Sequence, residues 1–178
     1  MKYRLLLVAL ASAALLPEVA FAAGARIGGQ DAAACIDADG PAIQVNITGL
    51  KDRTGRLKLE LYPATEDDFL RDDTKLLNEG KTFHRVWATM PKTGAVVLCI
   101  KVPKPGTYAL FFTHDRDGKN KFNFWRDGGG VPSNVRIGAS KPKLATATIE
   151  VGPGITVSNI RAQYLRGLSG LGPIKSND

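Results

Sequence analysis

Histidine is scarce in this 178-residue chain, which holds His84 and His114 and no others. A His-ligated catalytic zinc needs two or three such ligands and an open position, so both would have to converge beside a carboxylate such as Asp115. His114 reads more simply as a hydrogen-bonding residue at a strand end. Gly-x-Ser-x-Gly is absent, and Ser133 and Ser140, near Pro and Gly, fit turns rather than a nucleophile. The adjacent acids Asp67-Asp68 and Asp72-Asp73 point their side chains apart, and a helix N-terminus accounts for the first pair. No catalytic residue, metal-ligand set or cofactor motif emerges, so an enzyme is the lesser reading.

Cysteine is equally rare: Cys35 and Cys99, without the C-x-x-C spacing of redox chemistry. Acids are outnumbered, 17 Asp and Glu against 24 Lys and Arg, and the net charge of +7 excludes acidic low-complexity disorder. A second long apolar run is lacking, which excludes a multipass helical membrane protein. A dense basic run is lacking too. Lys51, Arg53, Lys58, Lys81, Lys92, Lys101, Lys104, Lys119, Lys121, Lys141, Lys143 and Arg161 are spread out. That spacing suits an anionic envelope surface, or solubility alone, better than nucleic acid. There is no internal repeat. With 44% hydrophobic and 23% charged residues, the rest is the composition of one ordinary globular domain.

What is present starts with a basic Met1-Lys2-Tyr3-Arg4, an uncharged apolar run from Leu5 to Leu16, and Ala20-Phe21-Ala22. This is the pattern of a secretory signal peptide over residues 1–22. The run is too short to cross about 30 Å of hydrocarbon, and a retained anchor is the alternative. Cleavage would leave a domain of charge +6 in an oxidising compartment, periplasmic or secreted. There an even pair of cysteines is expected to join, Cys35 to Cys99, the alternative being two free thiols. Closing that loop of about 65 residues would stabilise the fold by about 4 kcal/mol in the chain-entropy model.

Residues 23–40 read as an irregular lead anchored by Cys35, 41–166 as the folded domain and 167–178 as a mobile tail. From Pro41 the apolar period becomes two. Ile43, Val45 and Ile47 alternate with polar residues, as do Leu57, Leu59 and Leu61, with a polar turn from Gly49 to Gly55 between them. The two segments read as an antiparallel hairpin. Thr65 followed by Glu66-Asp67-Asp68 predicts one short helix ending at Gly80. Further strands are predicted over 82–90, 95–102, 107–113, 145–151 and 155–164. In the second of these, Cys99 faces away from Val96, Leu98, Ile100 and Val102. In the last, a bulge at Ser158-Asn159 would restore the phase. About seven strands and one short helix predict an all-β chain: a single antiparallel β-sandwich, with a small up-and-down barrel as the alternative.

The densest polar stretch runs from Thr113 to Asp127. As an EF-hand it places Asp115 and Asp117 correctly, but Lys119, Asn120 and Arg126 fall where a ligand, Gly and Glu belong, so a solvated turn is the better reading. Phe122 and Phe124, two apart, suit the core of a short strand with Trp125 at its end; the alternative is an aromatic platform for a sugar ring or an apolar partner.

Pro105-Gly106-Thr107-Tyr108-Ala109-Leu110-Phe111-Phe112-Thr113-His114-Asp115, then Asp117-Gly118, Asn120 and Pro132-Ser133-Asn134, resembles the bacterial exported family called domain of unknown function 2141. The resemblance extends over roughly Ile43 to Tyr164. It implies a transthyretin-like or immunoglobulin-like sandwich with no assigned activity. Lys119, Asn123 and Gly128-Gly129-Gly130 depart from the family's acidic pattern, so no metal role is carried over. The expectation is an exported, non-enzymatic binding or interaction module of the bacterial envelope. Its binding residues would be His114, Asp115, Asp117, Asn120, Trp125 and Asn134. Its partner would be an envelope protein, glycan or small ligand; the alternative is an envelope enzyme or metal-dependent ligand-binding protein centred on His114-Asp115.

Overall fold

The computed structural model describes residues 26–174. Residues 1–25, which include the segment read as a signal peptide, and the last four residues lie outside them. In chain order the elements are β1 (Ile27–Gly28), α1 (Ala32–Ile36), β2 (Ala42–Thr48), β3 (Arg56–Pro63), α2 (Asp73–Asn78), β4 (His84–Thr89), β5 (Val96–Lys101), β6 (Gly106–Asp115), β7 (Gly128–Gly130), α3 (Leu144–Ala147), β8 (Thr148–Val151), β9 (Ile155–Arg161), β10 (Gln163–Leu165) and β11 (Leu171–Pro173). They form two sheets. One has the order β1-β5-β2-β9; the other has β11-β10-β7-β6-β3-β4, with β8 also paired to β6. The chain is an all-β sandwich, and neither sheet closes into a barrel. Two pairings, β1 with β5 and β2 with β9, are parallel, so the sandwich is not wholly antiparallel.

Alternation explains the core. Ile43, Val45 and Ile47 of β2 face Leu57, Leu59 and Leu61 of β3 across the sandwich, joined by Val86, Leu98, Ile100, Leu110, Phe112 and Ile160. Each such side chain contributes about 1.5–3 kcal/mol on leaving water. β2 and β3 are therefore not a hairpin. Their apolar faces meet as facing layers, and the Gly49–Gly55 segment carries the chain from one sheet to the other. A side chain at Gly55, where φ is +66°, would strike the Asp115 carbonyl, so this crossing requires glycine.

A second apolar cluster lies on the outer face of the larger sheet: Tyr62, Phe69, Leu76, Ala109, Phe111, Val131 and Ala147. A third, Ala34, Cys35, Ala42 and Cys99, lies outside the smaller sheet. Cys99 does face away from the core row, and it is bonded to Cys35 with Cα atoms 6.0 Å apart.

Several local expectations are corrected. The helix starts at Asp73, not Thr65: Asp72 caps it by accepting from the Lys75 N–H, and Leu70 interrupts the preceding turns with φ +57°. Leu144–Ala147 is a helical turn, tied by the Thr148 hydroxyl donating to the Leu144 carbonyl, and the strand predicted over 145–151 begins only at Thr148. β9 has no bulge; it pairs with β2 in one register from Ala42–Ile155 to Thr48–Arg161, turning Ser158 and Ile160 inward and leaving Val157 exposed. The lead is not irregular between Ile27 and Ile36. Besides the disulfide, Asp31 accepts from Lys101 N–H at 2.7 Å and Gln30 from Trp87 N–H at 3.1 Å. The tail, expected to be mobile, folds back as far as Ile174: β11 pairs with β10 and buries Leu171.

Candidate functional site

At one end of β6, His114 turns inward and is fully buried. Its Nε2–H donates to the Thr54 carbonyl at 2.7 Å, so Nδ1 is the acceptor and takes the Tyr164 hydroxyl proton at 2.7 Å. The Tyr164 oxygen accepts in turn from Lys51 N–H at 3.0 Å. Burial pushes the His114 pKa below its ordinary 6.5, outweighing the Thr54 carbonyl, and burial pushes the Tyr164 phenol up to about 12. Next to them Asp52 pairs with Arg116. Burial pushes the Asp52 carboxyl up, but the Arg116 guanidinium and Thr54 hydrogen bonds more than offset that and hold it well below the carboxylate range.

The residues singled out from sequence divide. Asp115 is buried, its Oδ2 bound to Arg56 Nε at 2.9 Å and to the Asn120 N–H at 3.2 Å; Asn120 adopts φ +66°. Asp117 accepts from Lys119 N–H and from Asn123 Nδ2. Asp127, which sequence reasoning passed over, is buried and joins them: carboxylate oxygens of Asp115, Asp117 and Asp127 lie within 4.8 Å of one another. Asp127 accepts from the N–H groups of Arg116 and Asn123, and Asp115 Oδ1 has no partner among the described residues. Asn134 belongs elsewhere, exchanging hydrogen bonds with β9 through the Asn159 carbonyl and the Arg161 N–H. Phe122 and Phe124 do not form a strand; the segment is a run of turns, and Trp125 is 78% exposed, edge-on to Phe124. His84 and His114 do not converge, because they pair with Leu61 and Leu57 of β3 from opposite neighbouring strands.

One concavity was not foreseen: a cleft of about 440 Å³ on the outer face of the larger sheet, whose floor holds Lys58, Glu60 and Thr113. Phe111, Phe122, Phe124, Ile137 and Leu70 contribute apolar wall. Its volume falls within the usual range of small-ligand sites. Lys58 and Glu60 read in sequence as solvent-facing strand residues, yet they are 5% and 4% exposed. Lys58 Nζ stands 3.1 Å from Glu60 Oε2, and Arg85 Nη2 stands 2.6 Å from Glu60 Oε1. Thr113 Oγ1 is buried with no partner among the described residues, a loss of about 1–3 kcal/mol if left unmet. Leu70 holds its left-handed conformation at the rim, the kind of strain that collects at functional sites.

A glycine lets this face close at Gly129, where a side chain would come within 3.0 Å of the Phe111 ring; Gly128 serves the inner face instead, where a side chain would overlap the Tyr164 ring. A sequence signal for the cleft did exist. The outward positions of β3 and β6 run Lys58, Glu60, Tyr62 and Ala109, Phe111, Thr113, which is too apolar a face to be left to water.

The fold and its sites define an all-β, two-sheet domain, with no helix among the described residues long and apolar enough to cross a membrane. A family model described as an uncharacterized protein conserved in bacteria (DUF2141) matches residues 45–159, and the chain belongs to that family. The match takes in the cleft floor and His114 with its Thr54 partner, but stops short of Tyr164. No curated protein and no solved structure matches the chain.

Proposed function

We propose that this protein is an exported, non-enzymatic binding module of the bacterial envelope that takes a small ligand in the cleft over Lys58, Glu60 and Thr113. The cleft itself carries the reading: charged groups are withdrawn from water beneath an apolar wall, with one hydroxyl left open. Such a combination of apolar lining and a few placed polar groups is how ligand sites are built. Export is supported by the basic and apolar N-terminal pattern and by a disulfide of the kind that persists in oxidising compartments. A non-enzymatic role is supported by the separation of the two histidines and by the full engagement of His114 in hydrogen bonds. A thermal-shift screen against envelope glycans and small organic ligands tests it, since ligands that bind only the folded state raise its melting point. Hits should vanish in Ala139→Trp, which fills the cleft from an exposed rim position. Hits indifferent to that change would place binding elsewhere.

A second reading, a metal-dependent ligand-binding protein or small enzyme centred on His114-Asp115, is favoured by one observation, the unpartnered Oδ1 of Asp115 beside Asp117 and Asp127. Against it, Arg56 already neutralises Asp115, and Lys119 and Lys121 oppose a dication. Calcium titration and melting with and without a chelator should show no change; a stoichiometric ion held tighter than about 10 μM, in the sensor range, would transfer the function to this loop.

A further inference from the structure

We propose that the ligand of this cleft is an amphipathic monoanion, a carboxylate on a compact apolar body, with the carboxylate held by Lys58 and Thr113. This deepens the binding reading above and rests on it. Lys58 and Thr113 are direct cross-strand partners on the outward face of β3 and β6, which sets their Cβ atoms about 5 Å apart, side by side on the floor. The Thr113 hydroxyl has a proton to donate and no acceptor among the described residues. The Lys58 ammonium carries three N–H donors, and Glu60 is its ion-pair partner among those residues.

The charges around the floor decide the sign of the ligand. Glu60 lies between Lys58 and Arg85, and Arg85 is also held by Asp73 at 2.7 Å. Two cations and two anions cancel there. Lys141 then lines the mouth, its ammonium 5.5 Å from the Phe69 ring centre, and leaves the cleft one positive charge in excess. A cationic ligand would add to that excess. A neutral one would leave that excess unmet, whereas a carboxylate offsets it and meets the Thr113 hydroxyl and a Lys58 N–H that Glu60 does not use through charge-assisted hydrogen bonds. Beyond the headgroup, Phe111, Phe122, Phe124 and Ile137 offer apolar surface, and a cleft of about 440 Å³ limits the body to a short acyl chain or a single ring.

The experiment uses the purified protein with three probes of one shape: phenylbutyrate, phenylbutanol and phenylbutylamine, with octanoate as the acyl counterpart. Calorimetry reads affinity, and NMR shifts of the Thr113 methyl and Phe111 ring read location. We expect a carboxylate to bind about tenfold or more tightly than the alcohol, the amine being weakest, with shifts at both reporters. The tighter of phenylbutyrate and octanoate then identifies the body. Lys58→Met and Thr113→Val should each reduce the preference for acid over alcohol. Glu60 keeps Arg85 in the first variant, and the second replaces an unmet hydroxyl by a methyl of the same shape, so it preserves the test if the first does not fold. If alcohol or amine binds as tightly as acid while shifting Thr113 and Phe111, the anion falls and the cleft stands as a binding site. If no probe shifts them, both fall.

Discussion

The His114 corner and the Lys58 cleft both withdraw polar groups from water, at the end and on the outer face of the same sheet. In the corner every group is mated: both His114 nitrogens, the Tyr164 hydroxyl and the Asp52–Arg116 pair all have partners. In the cleft the Lys58–Glu60–Arg85 chain of charges ends beside a Thr113 hydroxyl with no partner among the described residues. Polar networks closed on themselves hold a fold together, whereas one with an open end has something left to bind. Under the proposed function, the residues that look most chemical in the sequence serve structure, and residues that look like ordinary strand surface serve recognition.

Removing a mated group should therefore destabilise, and the covalent mate should matter most. Cys99→Ala is expected to lower unfolding stability by about 2–5 kcal/mol in denaturant titration, because it opens a long loop. Thiol labelling of the unfolded, non-reduced protein should find no free thiol; two reactive thiols would mean that no covalent tie holds the lead to the smaller sheet. His114→Leu comes next, at about 2–4 kcal/mol, since it strands the Tyr164 donor and the Thr54 carbonyl together. A loss well under 1 kcal/mol would mean the corner is not mated as described.

The same corner predicts a pH profile. Unfolding frees an imidazole that titrates near 6.5, whereas the folded state holds His114 neutral; its stabilisation is complete above that value and declines as the pH falls below it. Tyr164 acts at the other end. Its folded phenol is raised from 10.0 to about 12, so its share is present below pH 10.0 and is lost as the pH climbs toward 12. Denaturant midpoints across this range should show both slopes, and His114→Leu should lack the slope just below 6.5. An unchanged slope there would assign it to other groups.

The smallest effect is expected at Trp125. Trp125→Ala should shift the melting temperature by no more than a few degrees, as substitutions at exposed positions do. A variant that unfolds would place the indole in the core and blur the boundary between structural and exposed aromatics.

Much of the fold was legible because strand alternation is local. The inward rows of β2, β3 and β5 and the outward placing of Cys99 follow from a period of two within each segment. Strand partnership was not. β2 and β3 have interchangeable patterns, and nothing within either distinguishes pairing edge to edge from packing face to face. The bulge assigned to β9 failed for a related reason. Alternation assumes that apolar residues face the main core, but Ile155 packs against the disulfide cluster on the far side of its sheet.

The candidate site was legible in part. The turn after His114 stood out by composition, and Phe122 and Phe124 do form cleft wall, but as turn residues rather than strand. Lys58, Glu60 and Thr113 did not stand out, since a strand reading sends them to solvent. By itself the sequence determined that this chain is built of strands, which residues of β2, β3 and β5 turn inward, and that two cysteines are available to be joined. Only the tertiary structure decided which strands are neighbours and which outer face is covered. Burial of Lys58 depends on Thr113 beside it and on turns drawn from Leu70, Phe122 and Ile137, and contacts between residues so distant in the chain leave no periodicity in any one segment to read.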